Sequence, residues 1–282
     1  MIAESSIYNQ FGRHVLSLVW VDDLKPGVVS LSQPSPMAIS GFVISVRGVW
    51  FLVTAGHVID DLEKRFVHSH DLREMFIHDG FGTTIELPQS GFDWRGANKG
   101  AIFDKEAGVD FGFIVLRPMY RKLLKKAGVV ALEEHMWKRP PSDMHGYLLW
   151  GVPNQLFSGR VISTTSGDLL TYSLHAPLVA ISRTDDPPKH MQKPIARLYA
   201  TVPDSIRNEQ GNLVKLGDID GMSGGPIFGL RREGGGTRYW VVGLQSHWDL
   251  PTRTIAANFV GPLGRTLGDY LDDNGISDYE SE

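Results

Sequence analysis

Three short segments carry side chains that together could perform acyl transfer. An apolar run, FLVTAGHV, presents His57; a second, VDFGFIVL, begins beside Asp110; and GMSGGP places Ser223 between glycines. A serine hydroxyl is a weak nucleophile at neutral pH, so a neutral imidazole must accept its proton during attack. The imidazolium that forms needs a carboxylate on its other nitrogen. We therefore expect Ser223 to be the nucleophile, His57 the base and Asp110 the acid that orients it.

The glycines around Ser223 predict a second part of this chemistry. The tetrahedral intermediate of acyl transfer carries an oxyanion, which is stabilised by preorganised N–H donors. Glycine lets the backbone turn an N–H group inward in conformations that a Cβ would hinder. We expect the N–H groups of Gly221 and Ser223 to form this oxyanion hole. Asp104 lies close to Asp110 in the sequence and competes with it for the role of the orienting acid.

The three segments occur in the order His, Asp, Ser, and they resemble the signature blocks of the chymotrypsin/trypsin-like serine peptidase family. The resemblance implies an all-β fold of two antiparallel six-stranded β-barrels, with a helix between the barrels and a C-terminal helix. It implies an active site in the cleft between the barrels. It also implies a serine endopeptidase that hydrolyses protein or peptide substrates through an acyl-enzyme and needs no cofactor.

The segment YWVVGLQSHW resembles the strand that follows the nucleophile in that family and forms a wall of its substrate pocket. The resemblance implies that the backbone of Ser246 and His247 pairs with substrate. Trp248 is predicted either to join the core or to line the substrate cleft. These three residues are therefore the predicted substrate-binding strand.

Gly217 matches the base of the family's primary pocket. Its lack of charge predicts a preference for a small or apolar residue before the scissile bond. The neighbouring Asp218 and Asp220 could lend the pocket a negative field, which makes a basic residue the second choice. Cleavage after Asp or Glu is not expected, because an acidic side chain would meet these carboxylates.

The chain departs from the zymogen-activated members of the family in two ways. Met222 precedes the nucleophile where those members have an aspartate, and the chain has no Ile-Val-Gly-Gly-like processed start. The resemblance is therefore closest to intracellular or bacterial trypsin-like peptidases, and no N-terminal cleavage is expected. Because methionine packs adaptably, we expect a nearly bistable oxyanion loop that a regulatory protein partner could switch. The predicted long loops Ser90–Lys105 and Arg183–Pro194 are the expected places of that contact.

Composition agrees with a β-rich globular protein. The chain has 282 residues, 31 of them glycine, and a hydrophobic content of 42%. A formal net charge of −4 argues against a nucleic-acid-coating protein. The absence of cysteine excludes disulfides, a thiol nucleophile and thiolate metal sites. No targeting or membrane-spanning segment is apparent, so we expect a cytoplasmic protein that does not bind membranes.

Short β-branched or aromatic runs between turn residues predict an all-β chain with few helices. Helices are predicted at Pro118–Ala127 and Leu263–Leu271, with one helical turn at His57–Leu62. We predict an N-terminal barrel over residues 10–130, a C-terminal barrel over 131–271 and an acidic tail over 272–282. The predicted strands are Val15–Val21, Ala38–Val46, Val49–Val53, Gly112–Leu116, Tyr147–Val152, Leu169–Thr171, Leu178–Ser182, Leu198–Val202, Pro226–Leu230, Tyr239–Ser246 and Thr254–Phe259.

Three other interpretations of the sequence remain open. His68, His70 and His78 lie close together and could chelate zinc, although a solvated loop has the same composition, and no metal site is predicted. The basic side chains of the Pro118–Ala127 helix could contact nucleic acid, but a solvated face is the simpler explanation. A catalytically silent binding module with the same fold is the alternative to a peptidase.

Overall fold

The computed structural model describes residues 4–22, 35–68, 75–79, 91–138, 144–164, 167–174, 176–207 and 212–277. Within these residues the chain is mostly β-structure. It forms one six-stranded antiparallel sheet, one closed six-stranded barrel and two separate hairpins.

The N-terminal half forms the open antiparallel sheet. Its central strand Val49–Thr54 is buried at every residue, so both of its faces are covered by other parts of the protein. The six strands are β1 (Val15–Asp22), β2 (Ser35–Val46), β3 (Val49–Thr54), β4 (Phe76–Asp79), β5 (Lys99–Asp104) and β6 (Val109–Val115). Their spatial order is β4-β1-β2-β3-β6-β5.

The C-terminal half forms the closed barrel. Its strands are β7 (Gly146–Trp150), β10 (Leu178–Arg183), β11 (Arg197–Thr201), β14 (Pro226–Glu233), β15 (Gly236–Asp249) and β16 (Thr254–Phe259). They close in the order β10-β11-β16-β15-β14-β7. The separate hairpins pair β8 (Phe157–Thr164) with β9 (Gly167–Leu174), and β12 (Ser205–Arg207) with β13 (Leu213–Lys215).

Five helices are described. They are α1 (Glu4–Gly12), α2 (Gly56–His68), α3 (Pro118–Lys126), α4 (Glu134–Trp137) and α5 (Val260–Asp273). Helix α3 begins at a proline, which suits the first helical position, and the left-handed Gly128 (φ 90°) follows its end. None of the helices in the described part of the chain has the length and apolar character needed to cross a bilayer.

The prediction of two closed barrels is confirmed for one of them. The C-terminal strands close completely, whereas the N-terminal strands form a sheet with β4 and β5 at its edges within the described residues. The two edge strands flank residues 80–90, which lie outside the described part. The C-terminal helix is also confirmed. The predicted domain boundaries stay predictions.

Local structure differs from expectation at three places. The predicted loop Ser90–Lys105 contains β5, whose residues are half-buried or exposed. An edge strand with exposed side chains shows no alternation of apolar and polar residues, so its sequence looks like a loop. The turn predicted after His57 continues as the full helix α2, and the polar N-terminus forms α1. Helix α1 packs against the barrel through Tyr8, which contacts Trp150 edge-on at 5.6 Å.

One continuous hydrophobic core joins the two halves. It contains Phe51 and Phe113 from the open sheet together with Phe228 and Val241 from the barrel, all of them buried. Burial of such large apolar groups contributes roughly 1.5–3 kcal/mol each. The shared core therefore holds the two sheets together and positions the cleft between them.

A buried histidine ties the start of β1 to the barrel. His14 Nδ1 lies 2.6 Å from the carbonyl oxygen of Val130, so Nδ1 carries the proton and donates it. Its Nε2 lies 2.8 Å from the hydroxyl of Tyr239 on β15 and acts as an acceptor. Burial lowers the pKa of His14 to about 4, with a smaller contribution from the charge of Arg13, and the Val130 hydrogen bond only partly opposes this.

The lowered pKa of His14 predicts that the folded protein loses stability in acid. Because its pKa is about 4 when folded and 6.5 when free, the unfolded chain binds the extra proton first as pH falls. The contribution of His14 to the free energy of unfolding is complete above pH 6.5 and is lost between pH 6.5 and about 4. The loss amounts to about 3 kcal/mol. In urea unfolding experiments, His14→Asn should lack this component of the pH dependence, whereas the exposed control His135→Asn should keep it. An unchanged pH dependence in His14→Asn would contradict the assignment.

Candidate active site

His57 is positioned by the junction of β3 with α2. The strand ends at Thr54, Ala55 is fully buried, and the helix begins at Gly56, so His57 lies in the first helical turn. A Cβ at Gly56 would lie 2.7 Å from the carbonyl oxygen of Phe111 on β6. Glycine is therefore needed here for the close approach of the two backbones, which brings His57 beside β6.

Asp110 on β6 holds His57 through two contacts. Its Oδ1 accepts the backbone N–H of His57 at 2.9 Å, and its Oδ2 accepts the Nδ1–H of the ring at 2.7 Å. The Asp110 side chain is 7% exposed and the His57 side chain 30% exposed. The Asp110 contact places the proton on Nδ1 of the neutral ring, so Nε2 is left as the basic nitrogen.

The electrostatics of the site favour proton uptake by His57. Burial opposes protonation, but the hydrogen bond to Asp110 and the charge of that carboxylate outweigh it. Asp61 and Asp220 add smaller favourable contributions, so the pKa of His57 is raised above its ordinary value of 6.5. The site therefore stabilises the imidazolium that a general base must become.

The loop that carries Ser223 packs tightly against the open sheet. Gly224 has φ 91°, and a Cβ there would lie 2.1 Å from Thr54 Oγ1 and 2.3 Å from the carbonyl oxygen of Ser40. Only glycine fits both the conformation and the space. Ser223 consequently lines the same cleft as His57 and Asp110. Within the described residues the Ser223 hydroxyl makes no hydrogen bond.

Two N–H groups of this loop are the predicted oxyanion hole. The described residues offer no acceptor to the backbone N–H of Gly221 or of Ser223. Gly221 has φ 95°, and a Cβ there would lie 2.4 Å from Asn154 Oδ1. Asn154 in turn donates its backbone N–H to the carbonyl oxygen of Asp220 at 2.7 Å, and this hydrogen bond holds the loop next to Gly221.

Met222 anchors the loop by packing. It is fully buried in the core of the barrel, and a Cβ at Gly151 would approach its side chain at 3.0–3.1 Å. Apolar contacts therefore hold the loop at Met222. The expected bistability of the loop and its control by a partner stay predictions.

Two side chains that support the loop, those of Ser40 and Thr54, are not predicted as functional from the sequence. Ser40 Oγ accepts the backbone N–H of Val152 at 2.8 Å and donates to the carbonyl oxygen of Gly221 at 3.4 Å. Thr54 Oγ1 donates to the carbonyl oxygen of Ser40 at 2.8 Å. Thr54 stands in the FLVTAGHV segment, but no spacing pattern distinguishes Ser40, because its partners lie far away in the chain.

The cleft between the two halves has a volume of about 560 Å³. Ser246, His247 and Trp248 line it, as the sequence predicts for substrate-binding residues, although their role stays a prediction. The ring of Phe103 lies 6.0 Å from that of His57 and forms a further apolar wall. Phe103 belongs to the edge strand β5, whose sequence predicts a loop.

Gly217 does not have the expected position. It is absent from the residues that line the cleft in the described structure, and its carbonyl oxygen accepts a hydrogen bond from Arg253 at 3.2 Å. A Cβ at Gly217 would meet Gln155 at 2.6 Å. Asp218 lines the cleft instead, because Trp248 Nε1 donates to its Oδ1 at 2.8 Å and holds it there. The role of Gly217 as an uncharged pocket base stays a prediction.

The histidine cluster is only partly described. His70 and the side chain of His68 lie outside the described residues, and His78 is fully buried on β4. Among the side chains that are described, no group of three or more His, Asp or Glu residues could hold a metal ion.

Comparisons with known proteins give matches in structure but not in sequence. No family profile matches the chain, and no curated protein matches it. A thermostable serine protease, AL20, from an extremophilic microorganism is similar with a TM-score of 0.44 and 14% identity, covering 92% of this chain and 97% of that chain. Catalytically inactive tobacco etch virus protease complexed with substrate has a TM-score of 0.42 and 12% identity, covering 93% and 86%.

Protease Anisep from Arthrobacter nicotinovorans has a TM-score of 0.40 and 14% identity, covering 88% of this chain and 90% of that chain. These three proteases match the chain at 12–14% identity, with TM-scores of 0.40–0.44.

Proposed function

We propose that this chain is a serine endopeptidase with Ser223 as nucleophile, His57 as general base and Asp110 as the orienting acid. One observation carries the proposal: the buried Asp110 holds His57 through both the backbone N–H and Nδ1, in a cleft that Ser223 also lines. A histidine held in this way has one tautomer and one orientation, which is what a general base requires.

The reaction follows from these groups. Ser223 Oγ attacks the carbonyl carbon of a peptide while His57 Nε2 takes the hydroxyl proton. The N–H groups of Gly221 and Ser223 stabilise the oxyanion of the tetrahedral intermediate. His57 then gives its proton to the leaving amine, and an acyl-enzyme on Ser223 remains. Water, activated by His57, hydrolyses this ester and restores the free enzyme.

The hydroxyl of Ser223 makes no hydrogen bond among the described residues, and this is compatible with the proposal. In free enzymes the contact between nucleophile and base is often long and tightens when substrate binds. The cleft offers Trp248 and Phe103 as apolar surface for a bound peptide. Protein or peptide substrates are therefore proposed, and no cofactor takes part in the steps above.

A fluorophosphonate probe tests this function. The probe needs an activated serine, so it should modify the wild type at Ser223 and nowhere else, as read by peptide mass spectrometry. His57→Ala should abolish the modification, because Ser223 then has no base. Replacement of the exposed serine on β10, Ser182→Ala, is the matched control and should label like the wild type. An unlabelled wild type would favour the silent binding module.

A further inference from the structure

The cleft contains basic side chains that the reaction does not use. Lys105, Lys193 and Arg197 line it beside the reacting groups, and we call them the basic cluster. None of the three forms an ion pair with any carboxylate among the described residues. Four carboxylates, Asp104, Asp110, Asp218 and Asp220, line the same cleft. A cation at the wall of a cleft that has no ion-pair partner attracts an anionic group locally, because low-dielectric walls strengthen its field.

Arg197 is the best defined member of the basic cluster. It begins β11, and its guanidinium donates to Ser246 Oγ. Ser246 Oγ donates in turn to the carbonyl oxygen of Ala256 at 3.2 Å, so the hydroxyl accepts one hydrogen bond and donates another. The guanidinium is therefore held in one orientation. A guanidinium has five N–H donors, and in Arg197 the buried Nε–H has no partner.

Several other arginines of the described chain pair with a carboxylate, which Arg197 does not. Arg47 pairs with Asp272, Arg183 pairs with Asp185, and Arg253 pairs with Asp204. Arg197 is more buried than the first two, and burial lowers its pKa although Tyr199 and Asp110 act in the opposite direction. Keeping a desolvated cation without a carboxylate is unfavourable unless a ligand supplies one.

The acids of the cleft are already engaged by other groups. Asp110 holds His57, and Asp218 accepts the indole N–H of Trp248 at 2.8 Å. Asp220 accepts from the Asn154 amide at 3.2 Å. Asp104 accepts the backbone N–H groups of Glu106 and Ala107. The charge of Asp110 acts on Arg197 from a distance, but among the described residues no carboxylate forms an ion pair with its guanidinium. A carboxylate of a bound peptide would supply that direct contact.

We propose that Arg197, assisted by Lys193, forms a specificity subsite for a carboxylate of the substrate. The side chain of Lys193 lies beside Arg197, since a Cβ at Gly108 would contact both. The planar guanidinium fork matches a carboxylate bidentately, and Lys193 adds a point charge. The inference rests on the proposed function. It differs from the expectation that acidic residues are excluded from this cleft, because that expectation considered only Asp218 and Asp220.

Substrate profiling with a peptide library tests the subsite. The wild type should select Asp or Glu at one fixed position relative to the scissile bond. For a matched pair of peptides with Glu or Gln at that position, kcat/KM should favour Glu by about 10–100-fold. Arg197→Gln should remove most of this preference, and Arg197→Lys should keep part of it. The exposed hairpin residue Arg232 provides the matched control, and Arg232→Gln should leave the preference unchanged.

Fluorophosphonate labelling separates this inference from the proposed function. If Arg197→Gln labels at Ser223 like the wild type and still prefers Glu over Gln, the subsite is wrong while the peptidase stands. If the wild type neither labels nor cleaves, the peptidase is wrong, and the subsite is then judged by peptide binding. Fluorescence anisotropy then measures the affinities of the Glu and Gln peptides for Ser223→Ala and for Ser223→Ala/Arg197→Gln. Equal affinities of the two peptides for Ser223→Ala would overturn the subsite.

The carboxylate could belong to an acidic side chain or to the C-terminus of a peptide. Peptides with an internal Glu and an amidated C-terminus should be preferred if the side chain is recognised. Peptides with Gln and a free C-terminal carboxylate should be preferred if the terminus is recognised. Absence of both preferences in the wild type would contradict a carboxylate subsite at Arg197.

Discussion

The Ser223→Ala variant is expected to hydrolyse peptides about 10⁴- to 10⁶-fold more slowly than the wild type, measured as kcat/KM. The reason is that the oxyanion hole and the cleft can still bind substrate, but no group forms the acyl-enzyme. His57→Ala should lose a comparable amount, because Ser223 without a base is only a weak nucleophile. The residual rate should reflect binding and oxyanion stabilisation alone.

The double variant distinguishes a catalytic unit from two independent contributions. If Ser223 and His57 act together, Ser223→Ala/His57→Ala should be no slower than either single variant. Multiplied losses would show that the residues act separately. Ordinary turnover by Ser223→Ala would refute the nucleophile assignment, provided that Ser182→Ala behaves like the wild type in the same assay.

Asp110→Asn is expected to lower kcat about 10⁴-fold with little change in the fold. The carboxylate now accepts two N–H groups of His57, one from the backbone and one from the ring. An asparagine side chain has only one acceptor oxygen, so its NH₂ group must face one of these donors. The ring would then change tautomer and place its proton on Nε2, where the base is needed.

Asp104→Asn is the matched control for this substitution. Asp104 competes with Asp110 in the sequence, but its Oδ1 accepts the backbone N–H groups of Glu106 and Ala107, both at 2.9 Å. It is thus a turn residue, and an asparagine can make the same turn. Nearly unchanged kcat in Asp104→Asn and a large loss in Asp110→Asn would agree with the structure. The reverse result would overturn the assignment.

The elements around the site were largely predictable from the sequence because their signals are local. The buried strand β3 shows its apolar run directly in the residues, and α3 shows a proline at its start and a glycine after its end. Edge strand β5 could not be predicted in the same way. Its side chains are mostly exposed, and its structure depends on pairing with β6, a contact that leaves no periodic pattern.

The candidate triad could be proposed from residue types and order, but its geometry could not. His57 and Asp110 meet because β3 pairs with β6 in a register that sets Thr54 opposite Gly112. The arginine of the cleft was missed for the same reason. Arg197 stands in an ordinary strand sequence, and only the position of β11 beside β16 brings it near Ser246.

The proposed chemistry could be inferred from the sequence, because a hydroxyl, an imidazole and a carboxylate are properties of the residues themselves. The sequence also determined that short strands dominate, because turn residues and β-branched runs act locally. Which charged side chains line the cleft depends on the tertiary structure. Gly217 turned out to lie against Arg253, whereas Asp218 and Arg197 line the cleft. The orientation of a side chain depends on contacts between residues far apart in the chain, and no local pattern records those contacts.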